Sequence, residues 1–265
     1  MSRIIGVVSG KGGVGKTTVT ANLGLALTIQ GMKVTLVDCN VTTSHLGFLF
    51  GIYYYDKTLN DVLRDLARMD EATYDYHGLQ IIPASLSLDS LVDLDLNKLH
   101  ESMKQVKSDI VLLDAAPGLG KEAMSVLQAS SEIIFVTTPY LNAVTDVIRM
   151  NKVTESLGLK SLGIILNMVK GLPHELKKKE VERLTGIEVM GEVPYDEAIN
   201  YALSVGKPLL DFYSSAPSSL AFKMLAAKIT GVEYVPERAG LLSRIKSGLE
   251  RFVARKHLVN VKKIV

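Results

Sequence analysis

Cysteine is almost absent from this sequence: Cys39 is the only one in 265 residues. The chain therefore cannot form an internal disulfide, and nothing in its composition requires an oxidising compartment. It also cannot build a zinc or iron–sulfur centre from its own thiolates alone, because such centres use several cysteines at short spacing. A disulfide-stapled fold and a thiolate metal centre are both excluded.

Long apolar runs are missing as well. The first apolar run, residues 4–8, is followed almost at once by Lys11 and glycines, whereas a secretory signal requires about 7–15 apolar residues and a small-residue cleavage site. No segment approaches the ~18–20 apolar residues that cross a bilayer. We therefore expect a cytoplasmic protein that contacts membranes only peripherally.

The sequence also has little net charge, +2 at neutral pH, but that charge is unevenly placed. Residues 239–265 contain seven basic residues and one acid, a net charge of +6, and the other residues carry 23 basic and 27 acidic side chains, a net charge of −4. Clustered positive charge attracts anionic surfaces, whereas the mildly acidic body disfavours nucleic acid as a partner.

Short β-branched apolar runs alternate with longer segments of helical period. The apolar runs occupy residues 4–8, 34–37, 79–82, 110–113, 133–137 and 162–166, and the helix-like segments occupy 17–30, 96–106, 122–128, 143–157 and 175–184. Strands that are apolar on both faces and separated by helices indicate an α/β fold, a mostly parallel twisted sheet with helices on both faces. We predict one such domain over residues 1–237 and a basic tail over residues 238–265.

A glycine-rich segment follows the first predicted strand and opens the first predicted helix. It matches the pattern G-x-x-x-x-G-K-S/T, whose glycines allow backbone N–H groups to surround phosphate oxygens above the positive end of a helix. Lys16 is expected to reach the β- and γ-phosphates, and the Thr17 hydroxyl to bind Mg²⁺. The phosphate-binding residues predicted from this pattern are Gly10, Gly12, Gly13, Val14, Gly15, Lys16 and Thr17.

A second lysine, Lys11, stands directly after the first glycine. The octapeptide from Lys11 to Thr18, KGGVGKTT, resembles the deviant Walker A signature of the MinD/ParA family of P-loop ATPases, and of its archaeal MinD-like members in particular. In that family the extra lysine reaches across a dimer interface to the phosphates of the partner subunit. Further segments recur in the family's order at residues 34–40 (switch I), 109–120 (switch II), 136–139, 164–167 and 191–196.

The resemblance implies ATP and Mg²⁺ as cofactors, a homodimer that forms when ATP binds, and roles for particular residues. Lys11 joins the ATP-binding set, and Thr18 would contact the α-phosphate. Asn167 would read the edge of the adenine, and Pro194 would line the base.

The resemblance also places Mg²⁺ on Thr17, with Asp38 and Asp114 acting on it through water. The residues themselves support this role for the two carboxylates. Each aspartate ends an apolar strand, at the edge where open α/β sheets bind ligands, and a buried aspartate without a function would be costly.

Asn40 departs from the family pattern, which usually has an aspartate two residues after Asp38 to position or polarise the attacking water. An amide can hold water by hydrogen bonds but carries no charge and cannot take a proton. We expect Lys11, Lys16, Asp38 and Asn40 to form the catalytic set, with ATP binding and dimerisation intact and hydrolysis slow. The alternative is that another group positions the water and turnover is normal. A natural substitution and a deliberate one that traps the ATP-bound dimer would give the same sequence.

The basic tail has the pattern of an amphipathic helix. Its apolar residues recur at helical spacing and are Leu241, Leu242, Ile245, Leu249, Phe252 and Val253. A basic amphipathic segment favours the surface of an anionic membrane, and this one resembles the membrane-targeting helix of MinD-like proteins. We predict that residues 239–256 bind such a surface; the alternative is a last helix packed on its own domain or on a partner.

These features predict an ATP-dependent dimerising switch of the MinD type that associates with the membrane and positions partner proteins, as in cell division. Its activating and cargo proteins are unknown. The second hypothesis is a ParA-like partitioning ATPase that binds DNA nonspecifically. The third is an amide-forming ligase or synthetase with a deviant Walker A motif, which would need a pocket for a small acid substrate.

Replacing Asn40 by aspartate tests the slow-switch hypothesis. Asn40→Asp restores a charged acceptor for the attacking water, so we expect single-turnover hydrolysis of ATP to accelerate by roughly 10²-fold or more. Quenched-flow measurement with radiolabelled ATP in Mg²⁺ would give both rates. Equal rates in the two proteins would show that another group positions the water.

Overall fold

The computed structural model describes residues 2–232 and residue 234. Its strands are β1 (Arg3–Val8), β2 (Val34–Asp38), β3 (Tyr74–Tyr76), β4 (Leu79–Ile82), β5 (Ile110–Asp114), β6 (Glu132–Thr137), β7 (Lys160–Val169) and β8 (Val189–Pro194). Its α-helices are α1 (Lys16–Ile29), α2 (Leu59–Leu63), α3 (Leu99–Met103), α4 (Lys121–Ala129), α5 (Leu141–Ser156), α6 (Lys178–Thr185), α7 (Glu197–Ser204), α8 (Leu209–Phe212) and α9 (Pro217–Thr230). The amphipathic helix predicted in the tail lies outside the described residues.

The eight strands form one sheet in the order β3-β4-β2-β5-β1-β6-β7-β8. Strands β1, β2 and β4–β8 pair in parallel, and β3 pairs antiparallel with β4 at one edge. The predicted mostly parallel sheet is therefore confirmed. Across the described residues, none of the helices combines the length and apolar character that crossing a bilayer requires.

Two apolar cores lie on the two faces of the sheet. Neighbouring residues of β2 point to opposite faces, so Leu36 belongs to one core and Val37 to the other. Helices α1 and α9 contribute to the first core through side chains such as Leu23 and Phe222. Helices α4 and α5 contribute to the second, for example through Val126. Because the strands are apolar on both faces, helices must cover each face of the sheet.

Several elements differ from the sequence pattern or were not predicted, including β8, the segment 96–106 and α9. Strand β8 was not among the predicted runs, because Gly191 and Glu192 interrupt its apolar residues at the edge of the sheet. The helix predicted over residues 96–106 is a 3₁₀ turn, Leu96–Lys98, followed by the short α3. Helix α9 was also missed, although it begins with a proline in its first turn and ends at a left-handed glycine, Gly231.

The strand order brings together residues that are far apart in sequence. Strand β5 lies between β1 and β2, and its last residue, Asp114, is in register with Asp38 on one side and Val7 on the other. The glycine-rich loop leaves β1 at this same edge. The carboxyl ends of the three central strands therefore meet beside the start of α1.

Candidate nucleotide-binding site

The loop between β1 and α1 needs glycine at several positions for different physical reasons. Gly13 and Gly15 have φ angles of 79° and 80°, in the left-handed region that residues with a Cβ rarely adopt. Gly10 is close to helix α5, and a Cβ there would lie 2.5 Å from the Cβ of Asp146. At Gly13 a Cβ would meet no atom within 4 Å, so this part of the loop borders open space.

Lys16 begins helix α1 and is buried with only 6% of its surface exposed. Its Nζ lies 2.6 Å from Oδ1 of Asp114, and the Thr20 hydroxyl lies 3.2 Å from the same oxygen. The other carboxylate oxygen, Oδ2 of Asp114, is buried and has no hydrogen-bond partner among the described residues. An unpartnered buried acceptor is costly, so this oxygen is suited to a ligand that donates to it.

Asp38 is fully buried and holds the loop that follows β2. Its Oδ2 accepts hydrogen bonds from the hydroxyl of Ser44 (2.8 Å) and from the backbone N–H groups of His45 (3.2 Å) and Leu46 (3.1 Å). Its Oδ1 accepts from the N–H of Asn40 at 3.1 Å. The predicted switch I segment is thus anchored to one carboxylate.

The two neighbouring carboxylates give this site an excess of negative charge. The pKa of Asp38 is raised to about 6, first by burial and second by the negative charge of Asp114, while hydrogen bonds from Leu46, Ser44 and Asn40 oppose the shift. The buried ammonium of Lys16 pairs with Asp114 alone, and no contact among the described residues joins it to Asp38. A divalent cation would relieve this excess of negative charge.

The donor set fits Mg²⁺ held jointly with a phosphate. The described residues contain no cluster of three or more histidine, cysteine or acidic side chains that could enclose a metal. Mg²⁺ is usually held by one or two carboxylates together with phosphate oxygens and water, which is what Asp38 and Asp114 offer beside the glycine-rich loop. Thr17, the second residue of α1, is partly exposed at the start of the helix, and its hydroxyl has no hydrogen-bond partner among the described residues.

Asn40 uses both ends of its amide within its own loop. Its Nδ2 donates to the carbonyl of Thr43 at 2.9 Å, and its Oδ1 accepts from the Thr43 hydroxyl at 2.9 Å. These two bonds leave one N–H of Nδ2 and one lone pair of Oδ1 available, and the side chain is only partly buried. The slow hydrolysis expected from Asn40 stays a prediction.

Asn167 lies against the glycine-rich loop. Its Nδ2 donates to the carbonyl of Val14 at 2.8 Å, and a Cβ on Gly15 would lie 2.4 Å from that nitrogen. Strand β7 is irregular here: Leu166 is in register with Glu192, Val169 is in register with Pro194, and Met168 has a φ of 59°. Asn167 and Pro194 thus both lie at this irregular end of the β7–β8 pair, and their contact with a base stays a prediction.

Lys11 is among the predicted residues that make no contact with Asp38 or Asp114 in the described part of the chain. It is exposed, and no residue in ranges 2–232 or 234 forms a hydrogen bond or ion pair with it. Thr18, in the first turn of α1, is partly exposed, and its carbonyl accepts a hydrogen bond from Asn22.

Sequence reasoning missed Ser44 and Thr20, whose hydroxyls contact the two carboxylates. The only available signal was a hydroxyl one helical turn after Lys16.

A strand that leads through a glycine loop into a helix, with a buried lysine paired to a strand-end aspartate, defines a P-loop NTPase. A sequence model described as ParA, NUBPL iron-transfer P-loop NTPase, matches residues 1–230. The chain therefore belongs to the ParA family of P-loop NTPases, to which the MinD proteins are related.

Three known proteins show how far the similarity extends. An uncharacterised ATP-binding protein of Methanocaldococcus jannaschii is 32% identical over 256 residues, 96% of each chain. The cell division ATPase MinD of Pyrococcus furiosus is 33% identical with a TM-score of 0.84, over 87% of this chain and 99% of that one. MinD of Pyrococcus horikoshii, solved as a complex with Mg-ADP, is 32% identical with a TM-score of 0.83, over 91% of this chain and 98% of that one.

The raised pKa of Asp38 predicts a pH-dependent stability in the ligand-free protein. Its pKa is about 6 in the folded chain against an ordinary value of 3.8, so protonated Asp38 favours folding at low pH, and this contribution is lost as pH rises through about 6. Between about pH 4.5 and 7.5 we expect the free energy of unfolding of Asp38→Asn to gain on the order of 2 kcal/mol relative to the wild type. Urea unfolding at the two pH values measures this gain. The exposed Asp89→Asn is the control, and a constant difference between Asp38→Asn and the wild type would contradict the assignment.

Proposed function

We propose that this protein is an ATPase of the MinD type, which dimerises when it binds ATP and Mg²⁺, associates with a membrane surface and positions partner proteins. The observation that carries the proposal is the contrast between its two loop lysines. Lys16 is buried and neutralises Asp114, whereas Lys11 is exposed at the start of the same loop. A lysine there is free to meet phosphates bound by a second subunit.

The residues of the loop would hold the nucleotide and Lys16 would change partner. Backbone N–H groups from Gly10 to Thr18 and the dipole of α1 favour the triphosphate, and Lys16 would exchange Asp114 for the β- and γ-phosphates. Mg²⁺ held by Thr17 and, through water, by Asp38 and Asp114 would neutralise charge on those oxygens. Asn167 and Pro194 would contact the base.

Two loops are placed to respond to occupancy of this site. Asp38 holds residues 40–46 through four hydrogen bonds, so a change at its carboxylate would move that loop. The loop after β5 is joined to the glycine-rich loop by a hydrogen bond from the N–H of Gly118 to the carbonyl of Ser9, at 2.8 Å. ATP binding would therefore alter the surface around Lys11.

That surface has the apolar character of a binding face. Leu119, Leu141 and Leu172 follow strands β5, β6 and β7 and are 43%, 61% and 40% exposed. The carboxyl ends of parallel strands meet at one edge, so these side chains lie at the same edge as Lys11 and the nucleotide loop. Exposed apolar side chains at one edge mark an interaction site and support dimerisation here.

The proposed site of action is a membrane surface, with residues 238–265 as a separate tail. A segment such as 239–256 binds lipid weakly alone, and two tails joined in a dimer bind far more tightly than one. ATP would thus control membrane residence through dimerisation. The similarity to the Pyrococcus furiosus cell division ATPase supports a role in cell division or a related form of cellular organisation. Hydrolysis of ATP by the present protein would be slow because of Asn40.

Removing the exposed lysine tests dimerisation. Size-exclusion chromatography with light scattering should give a dimer for the wild type with ATP and Mg²⁺ and a monomer with ADP or without nucleotide. Lys11→Ala removes the charge offered to the second subunit, so we expect at least tenfold weaker dimerisation with little change in ATP binding. Lys33→Ala, which removes an exposed lysine after α1, is the matched control. No ATP-dependent dimer in the wild type would refute the proposal.

Removing the tail tests whether it binds a membrane surface. A chain ending at Arg238 loses the +6 charge and the apolar stripe, so we expect its ATP-dependent sedimentation with anionic vesicles to fall to the level seen with neutral vesicles. Both chains should still dimerise. Equal sedimentation of the two chains would show that the tail is not an anchor. Salt-dependent retention on DNA without lipid binding would favour the DNA-partitioning alternative.

A further inference from the structure

A buried threonine stands where it can hold the carboxylate of Asp114 in place. Thr20 is fully buried in α1, one turn after Lys16, so the two side chains lie on the same face of the helix. Its hydroxyl lies 3.2 Å from Oδ1 of Asp114 and 3.0 Å from the carbonyl of Lys16. Lys16 Nζ approaches the same Oδ1 at 2.6 Å.

The two acceptors of Thr20 compete for a single proton. A threonine hydroxyl has one hydrogen to donate, and in a helix it commonly donates to the carbonyl four residues before it. The Lys16 carbonyl does not need this donor, because in an α-helix it also accepts from the backbone N–H of residue 20. The hydroxyl can therefore turn to Asp114 without leaving an unsatisfied group behind.

The ability of the Thr20 hydroxyl to donate to Asp114 matters when Lys16 leaves Asp114 for a phosphate. Oδ1 of Asp114 then loses its charged donor, and Oδ2 has no partner among the described residues. A buried carboxylate oxygen without a hydrogen-bond donor is costly, so the carboxylate would rotate toward other donors. The Thr20 hydroxyl is the remaining donor that the described contacts place within reach of Oδ1.

We propose that Thr20 is a positioning residue for the metal site: its hydroxyl holds Oδ1 of Asp114 when Lys16 moves to the nucleotide, and so keeps Oδ2 facing the bound Mg²⁺ and its water. The inference rests on the proposed binding of Mg²⁺ and nucleotide. Thr20 would thus affect the affinity for Mg²⁺ and would not contact the phosphates.

The test separates metal affinity from nucleotide affinity. Fluorescently labelled ADP is titrated into each protein with excess EDTA, and then MgCl₂ is titrated at fixed ADP. For Thr20→Val, which keeps the side chain's shape and loses the hydroxyl, we expect the half-saturating Mg²⁺ concentration to rise about five- to tenfold. ADP affinity in EDTA should stay within about twofold of the wild type. Thr20→Ser restores the hydroxyl and should return the Mg²⁺ dependence to normal.

Thr28→Val is the matched control. Thr28 lies in the same helix and makes the same bond to the carbonyl four residues before it, at 3.0 Å from Gly24, but no described contact joins it to a carboxylate. Its Mg²⁺ dependence should equal that of the wild type. If Thr20→Val leaves the Mg²⁺ dependence unchanged, or weakens ADP binding equally with and without Mg²⁺, the positioning role is wrong. If the wild type itself binds no ADP, the proposed function fails first and the inference fails with it.

Discussion

The site depends on two buried, neighbouring carboxylates of which only one is paired with a buried ammonium. Asp38 and Asp114 are register neighbours on adjacent strands, and Lys16 pairs with the second of them. Burial first and the negative charge of Asp114 second raise the pKa of Asp38. The fold keeps both because strands and helix are packed on both faces by apolar side chains that leave them no room to separate. The stored repulsion is what makes a cation favourable here.

Hydrogen bonds around the site also fix the backbone of the neighbouring loops. Asp38 holds residues 40–46, Asn167 holds the carbonyl of Val14, and the N–H of Gly118 holds that of Ser9. Each of these bonds joins a loop at the carboxyl edge to the nucleotide loop or to a strand-end carboxylate. A change of charge at one point therefore reaches the exposed surface through short, direct contacts. This arrangement suits a molecular switch, whose binding surface must depend on what its nucleotide site contains.

Sequence reasoning was most successful where a pattern is local. The strand at residues 79–82 was predicted with its observed bounds, and β1, β2 and β5 within one residue at either end, because each is a short run that is apolar on both faces. It failed for β8, whose position at the edge of the sheet removes the need for a continuous apolar run. It also missed Ser44 and Thr20, because a hydroxyl acquires a role only from the carboxylate that the fold places beside it.

The amino-acid sequence by itself determined the phosphate loop, since the glycines, Lys16 and Thr17 are consecutive and their geometry follows from local backbone preferences. It also determined that Asp38 and Asp114 would end buried strands. Only the tertiary structure decided that these groups meet. Lys16 and Asp114 are 98 positions apart, and their contact requires β5 to lie between β1 and β2. That order follows from how the connecting helices pack on the two faces of the sheet, which no local pattern specifies.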